Sequence, residues 1–293
     1  MRHYISLVLA LFISLSSCAP PSTIRLLPAS IAKTTLPPYN KGRGQTGSTT
    51  PTSFVELQLN LCNSGFAKCY ANGASIPEGG ELIYATGPNT VTINEVCSND
   101  VPELQSYLGE AWPKDYTYSV FIPAVDKRTN GPYKCKNGFQ YGSVVLGRVA
   151  AANWKGVKAY GGKYVSQDTT NEERIFVCAV ATGDHLACAT HLSSSSKPLA
   201  LAQCKALMFD TIPYVRRESS WNHKAVVGGD FNLKYDPGDA GNAQNCVPAE
   251  WTRKGDSDVQ HVVFSNDLKF GSSKKYGLTN TDHDGWLVKL NVA

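Results

Sequence analysis

The stretch with the clearest chemical content is Ala225 to Asn232, in which a short apolar run meets Gly228-Gly229 and then delivers Asp230, Phe231 and Asn232. Val226 and Val227 read as the end of a buried strand. The two glycines permit a close backbone approach that a side chain would block. On an extended continuation, Asp230 and Asn232 share one face. A carboxylate and a carboxamide so placed suit a hydrated divalent cation and a phosphate oxygen. Alone, Gly-Asp-Phe-Asn is equally an ordinary turn, so the rest of the chain has to separate the two readings.

Other β-rich runs end in the same manner. Phe54 to Leu61 alternates apolar and polar residues and ends at Asn60; Thr90 to Val96 ends at Asn94-Glu95. Gly142 to Val149 is a third strand, and Arg174 to Leu192 a hairpin ending at His191. Helical spacing covers Pro198 to Ile212. After 226–232, strands are expected at Val259 to Ser265 and Trp286 to Val292, with Asp282-His283 just before the last. Each polar terminus alone fits a turn, a solvated charge, a core histidine or a cap. Repeated at five chain ends, they describe one rim where acids, histidines and amides meet, a hard-cation site with proton-transfer groups beside it.

The flanks of this domain differ from it. Residues 1–18 carry Arg2 and an apolar core from Ile5 to Leu15, the pattern of a signal peptide. Leu15-Ser16-Ser17-Cys18 also resembles a bacterial lipoprotein signal, which would lipidate Cys18; the only membrane attachment expected is through that cysteine. Residues 19–52 are rich in Pro, Ser and Thr and lack acids, a composition that predicts a disordered linker. The catalytic unit is then 53–293. The chain holds 28 Lys and Arg against 24 Asp and Glu; without Arg2, Arg25, Lys33, Lys41 and Arg43 the balance is 23 against 24. A globally basic nucleic-acid-binding face is therefore excluded, and any such face is local. Beyond Cys18 there are eight cysteines, which with a leader point to as many as four disulfides in a secreted or cell-envelope protein. Cys62–Cys69 would close a short loop, and Cys178–Cys188 would face each other across the hairpin. No Cys-x-x-Cys pair supports zinc.

The ordered set Asn60, Asn94-Glu95, Thr190-His191-Leu192, Gly229-Asp230-Phe231-Asn232 and Thr281-Asp282-His283 resembles the endonuclease/exonuclease/phosphatase superfamily, with the fold of pancreatic deoxyribonuclease, over roughly residues 53 to 293. The resemblance is to a secreted bacterial branch of it. It implies an α/β fold, a four-layered α/β sandwich of two mostly antiparallel β-sheets flanked by helices. It also implies roles: Glu95 as the main Mg2+ ligand (Mn2+ or Ca2+ being alternatives), with Asn60 and Asp282 completing or orienting the coordination. His191 would hold the phosphate or protonate the leaving oxygen, Asp230 would orient the attacking water, and Asn232 would touch a phosphate oxygen. His283 would serve as base or electrostatic partner. One departure stands out: where the family places an aspartate to hold the second histidine, this chain presents Gln260, with Asp258 two residues earlier on the same strand face.

The implied reaction is phosphodiester hydrolysis by a monomer. Nucleic acid, most directly DNA, is the first substrate class: Lys127, Arg128, Lys134, Lys136 and Arg216-Arg217 offer phosphate contacts, and Tyr133, Phe139 and Tyr141 offer stacking faces. A phosphorylated lipid is the alternative, with exposed tryptophans as membrane wedges. A non-catalytic binding module on the same scaffold is the third reading. It is disfavoured because, Gln260 apart, every acid, amide and histidine position the chemistry needs is present.

Overall fold

A computed structural model describes residues 53–293 together with a two-residue strand at Arg25–Leu26. The expected leader, Cys18 and the rest of 19–52 lie outside the described residues. In chain order the elements are β1 (Arg25–Leu26), β2 (Ser53–Asn60), α1 (Ser75–Thr86), β3 (Thr90–Cys97), α2 (Val101–Ala111), β4 (Asp115–Pro123), β5 (Val125–Asp126), β6 (Gly131–Pro132), β7 (Tyr141–Ala150), β8 (Val157–Lys163), β9 (Glu172–Glu173), β10 (Ile175–Ala181) and β11 (His185–His191). There follow α3 (Lys197–Lys205), α4 (Ile212–Ser219), β12 (Ala225–Asp230), β13 (Trp251–Gly255), β14 (Gln260–Ser265), β15 (Leu268–Tyr276) and β16 (Gly285–Val292).

Two sheets carry the fold. One runs β1-β8-β10-β11-β12-β14-β13 and the other β15-β16-β2-β3-β7-β4. All pairs are antiparallel except β11 with β12 and β2 with β3. Period-two side-chain alternation explains the layering. On β2, Leu57 and Leu59 point outward and bury against α1 and α2 with Ile83, Leu104 and Leu108. On the far side, Phe176, Val180, Val227 and Val263 bury against Leu207, Met208, Ile212 and Val215 of the α3–α4 layer. Between the sheets lie Phe54, Val145, Val177, Val226, Val262 and Val288. The result is helix, sheet, sheet, helix, as the sequence implies.

Three local details depart from expectation. The helix over 198–212 breaks: α3 ends at Lys205 and six residues, Ala206–Thr211, form wider π turns before α4 restarts. Thr211 Oγ1 donates to Ala206 O, five residues back, at 3.1 Å. The strand expected over 226–232 stops at Asp230. Helices α1 and α2 and strands β4, β8, β13 and β15 carry no signal strong enough to be expected. Among the described residues, no helix is long and apolar enough to cross a membrane.

All eight cysteines of the domain are paired: Cys62–Cys69 and Cys178–Cys188 as expected, with Cys97–Cys135 and Cys204–Cys246. Cys178 and Cys188 sit directly opposite in the β10–β11 register. Four disulfides fit an oxidising, extracellular-type compartment.

The inward face of β2 turns polar after Phe54. Glu56, Gln58 and Asn60 all point between the sheets and are buried. Glu56 accepts from the hydroxyls of Thr90 and Thr92. Burial pushes its carboxyl from 4.5 up to about 7, against the pull of those hydroxyls. The folded protein therefore holds a proton here that the unfolded chain has released between those two pH values. The resulting stabilisation is full below pH 4.5 and is lost as pH rises through 7. Glu56→Gln is expected to be more stable than wild type at pH 8 by on the order of 3 kcal/mol, and to match it at pH 4, in urea unfolding. A wild-type-to-variant difference independent of pH would contradict this account.

Candidate active site

The strand register assembles the site. β12 lies between β11 and β14, so His191, Asp230 and Gln260 are neighbours across one sheet. In the other sheet Asn60 pairs with Asn94, and Glu95 follows at an irregularity where the β3–β7 register shifts. Glu95 there adopts φ +59°, a left-handed backbone that turns its side chain out of the strand alternation. Gly228 lets the two halves approach: a Cβ there would collide with Thr92 and Gln58 of the opposite sheet, while one on Gly229 would collide with the Thr190 backbone of the neighbouring strand. The approach lets the Asp230 backbone N–H donate to Asn94 Oδ1 across the sandwich at 2.9 Å.

Asn60 serves as a clamp on two carboxylates. Its Nδ2 donates to Glu95 Oε1 at 3.0 Å and to Asp230 Oδ2 at 3.2 Å, while its Oδ1 accepts from the Cys62 backbone N–H at 3.1 Å. Its nitrogen, not its oxygen, faces the two carboxylates, so in this geometry Asn60 orients them and does not present the oxygen expected of a direct ligand. Asp230 and Asn232 are joined by a turn and do not share a strand face. Asn232 has φ +50°, its N–H donates to Asp230 Oδ1 at 2.9 Å, and its Nδ2 donates to Leu192 O at 3.0 Å.

His191 lies 4.0 Å from Glu95 Oε1. Burial, with the Arg174 charge nearby, holds its imidazole well below the ordinary histidine range, so the ring is neutral at physiological pH. It can donate one N–H to a phosphate oxygen, but it holds no spare proton for the leaving oxygen. His283 Nε2 is 3.4 Å from Asp230 Oδ2, and its Nδ1 faces Gln260 at 3.3 Å. Gln260 is thus the partner of His283. Asp258 points away and pairs with Lys234 at 2.7 Å on the surface.

Two expected site residues are placed differently. Asp282 has a 59% exposed side chain beside the Cys62–Cys69 bridge and stays outside the cleft. The chain is pinned just before it by Thr281 Oγ1 on Asn60 O at 2.9 Å, and the largely exposed carboxylate reaches only the rim, 3.7 Å from His283 Nε2. Tyr141 lines the cleft but is buried, edge-on to Tyr133, and offers no free face for stacking. Phe139 remains exposed. Arg128 is taken up by Asp126 at 2.8 Å, and Arg216 and Arg217 sit at the C-terminal end of α4, whose chain leads to the end of β12 remote from Asp230.

The cleft, of about 420 Å³, contains groups that the sequence did not single out: Arg174, Glu172, Ser194 and Phe66. Arg174 is buried and donates to Glu172 Oε1 at 3.0 Å and to Ser194 Oγ at 3.2 Å. Phe66 is 65% exposed on the loop closed by Cys62–Cys69. That loop is fastened to the site by Asn63 N–H on Glu95 O at 2.8 Å.

The donor set fits a hard divalent cation. Burial pushes Glu95 up to about 7 despite the Asn60 hydrogen bond, and the charges of Glu172 and Asp230 add to the rise. Asp230 is likewise raised by burial, with the Asn232 N–H and the Asn60 amide opposing. Glu95, Asp230 and Glu172 crowd one cleft with Arg174 as the single guanidinium lining it. A cation held by Glu95, with Asp230 beside it, would relieve this repulsion.

No sequence family model matches the chain, and no curated protein matches it by sequence. Solved structures do. An endonuclease/exonuclease/phosphatase family protein from Bacteroides thetaiotaomicron superposes over 84% of this chain and 100% of its own, with TM-score 0.55 and 13% identity. ANGEL2, a 2',3'-cyclic phosphatase, matches over 81% of this chain and 95% of its own, with TM-score 0.55 and 11% identity. A mannosyl-6-phosphatase from Bacteroides thetaiotaomicron VPI-5482 matches over 81% and 99%, with TM-score 0.52 and 13% identity. The chain has the endonuclease/exonuclease/phosphatase fold.

Proposed function

We propose that this chain is a secreted, divalent-cation-dependent phosphoesterase that cleaves phosphodiester bonds, with DNA as its substrate. The observation that carries this reading is the meeting of Glu95, Asp230, His191, His283 and Arg174 at one cleft between the strand ends of two sheets. Among proteins of this fold, one structural relative is a 2',3'-cyclic phosphatase and another a mannosyl-6-phosphatase, which supports phosphoester chemistry. Arg174 offers a fixed guanidinium to the phosphate, and His191 one N–H donor. Asn232 retains one amide hydrogen beyond its bond to Leu192. Asp230 is placed to take the proton of the attacking water. A bound Mg2+ supplies charge neutralisation at the phosphate oxygens. The four disulfides support secretion or attachment to the cell envelope, with residues 1–18 as leader and Cys18 as a lipidation site.

Phe66 supports the nucleic-acid reading, because a fixed, exposed ring at the cleft mouth suits stacking of a base. Phe66→Ala is expected to raise KM for single-stranded DNA about tenfold, the scale of one base–aromatic stack, with kcat within about twofold. An unchanged KM would remove Phe66 from the substrate path. The function itself is tested with the full, disulfide-intact chain on plasmid DNA, RNA, sphingomyelin and phosphoinositides, each with Mg2+ or EDTA. Mg2+-dependent nicking of DNA is expected. Cleavage of lipid alone would overturn the DNA assignment, and failure on every phosphodiester would overturn the phosphodiesterase reading.

A further inference from the structure

We infer that three buried amides, Asn94, Gln58 and Gln260, fix His283 in the neutral tautomer that carries its hydrogen on Nε2, so that the ring turns an N–H toward Asp230 and is not the base of the reaction. All three amides have 0% exposure, so their donors and acceptors must be matched within the protein.

The direction of the relay follows from backbone groups, whose donor or acceptor character is fixed. The Asp230 N–H donates to one end of the Asn94 side chain at 2.9 Å, which makes that end the oxygen. The other end meets the Thr190 carbonyl at 3.0 Å and is the nitrogen. One atom of Gln58 lies 2.9 Å from the Asn94 oxygen and 2.9 Å from the Leu59 carbonyl, and facing two acceptors it can only be Nε2. The same Gln58 nitrogen, whose two hydrogens are shared among these neighbours, sits 2.9 Å from Gln260; an amide nitrogen cannot accept, so the Gln260 atom facing it is Oε1. Gln260 is left with Nε2 toward His283 Nδ1 at 3.3 Å.

A donor at that position requires a bare Nδ1, and a neutral imidazole then carries its hydrogen on Nε2. Nε2 faces carboxylate oxygens of Asp230 at 3.4 Å and Asp282 at 3.7 Å, where an N–H is favoured and a lone pair is not. Both ring nitrogens are thereby committed. Gln260 and Gln58 are positioning residues: they act on the reacting groups only through His283. The assignment of the water's proton to Asp230 rests on the phosphoesterase reading, whereas the tautomer rests on the hydrogen bonds alone.

The test is the ring 15N spectrum of His283 in the full chain, assigned by its loss in His283→Asn, recorded with EDTA and with Mg2+. An unprotonated Nδ1 and a protonated Nε2 are expected in wild type. Gln260→Glu, whose side chain can only accept there when ionised, is expected to move the hydrogen to Nδ1. A wild-type ring carrying its hydrogen on Nδ1 would overturn the inference, as would one tautomer shared by both proteins. Should Gln260→Glu not fold, the wild-type spectrum still decides. No turnover is needed, so failure on every phosphodiester would remove the phosphodiesterase reading without altering the tautomer result.

Discussion

Asp230→Asn is expected to lower kcat for phosphodiester hydrolysis about a thousandfold, in the range of a lost general base, while leaving the fold intact. The substitution is isosteric. Its remaining oxygen can still accept the Asn232 N–H that closes the turn, now at 2.9 Å. What it removes is the proton acceptor between Asn60 and His283. Because burial raises the Asp230 carboxyl, replacing it with an amide relieves an unfavourable charge, so the thermal midpoint should hold or rise. A variant that retains activity, or one that loses activity only by unfolding, would move the base elsewhere.

Arg174→Ala carries the largest stability cost expected at the site. Glu172 and Asp168 would be left without their guanidinium, with Glu172 Oε1 losing its 3.0 Å partner. Removing one member of a buried ion pair costs about 3 to 5 kcal/mol. The pH dependence has a definite sign. Burial already raises Glu172, and only Arg174 opposes the rise. Without it, the folded-state value climbs further above the unfolded one, and stability is lost as pH increases. The urea midpoint of the variant should therefore fall further below wild type at pH 8 than at pH 5. Arg174→Lys should fold nearly normally yet raise KM, since an ammonium cannot make the two-pronged contact. Equal losses at both pH values would place Glu172 outside this balance.

The sequence makes the site legible wherever chemistry coincides with a strand end. Asn60, Glu95, His191 and Asp230 stand where a β-signal stops and His283 just before one starts, and the structure brings them together. Cys62–Cys69 and Cys178–Cys188 are readable because a tight loop and a hairpin leave little choice. Cys97–Cys135 and Cys204–Cys246, 38 and 42 residues apart, join segments whose proximity only the tertiary fold creates. Arg174 escapes notice because Glu172-Glu173-Arg174 looks like a solvated strand entry; its burial comes from the small sheet of β5, β6 and β9. β15 is an exposed edge strand, LKFGSSKKY, whose face shows no apolar alternation to detect. α1 has two adjacent glycines, which lower its intrinsic propensity, and packing against α2 overrides them. Asp282 misleads because adjacency to His283 in sequence does not put both side chains into the cleft.

The most direct test of a cation-dependent phosphodiesterase site at Glu95 is hydrolysis of bis(p-nitrophenyl) phosphate by the full chain as Mg2+ is titrated, with Glu95→Gln measured beside wild type. Wild type should show saturable, EDTA-reversible activity, and the variant should stay at background across the titration. Hydrolysis that survives EDTA, or a variant as active as wild type, would contradict the account.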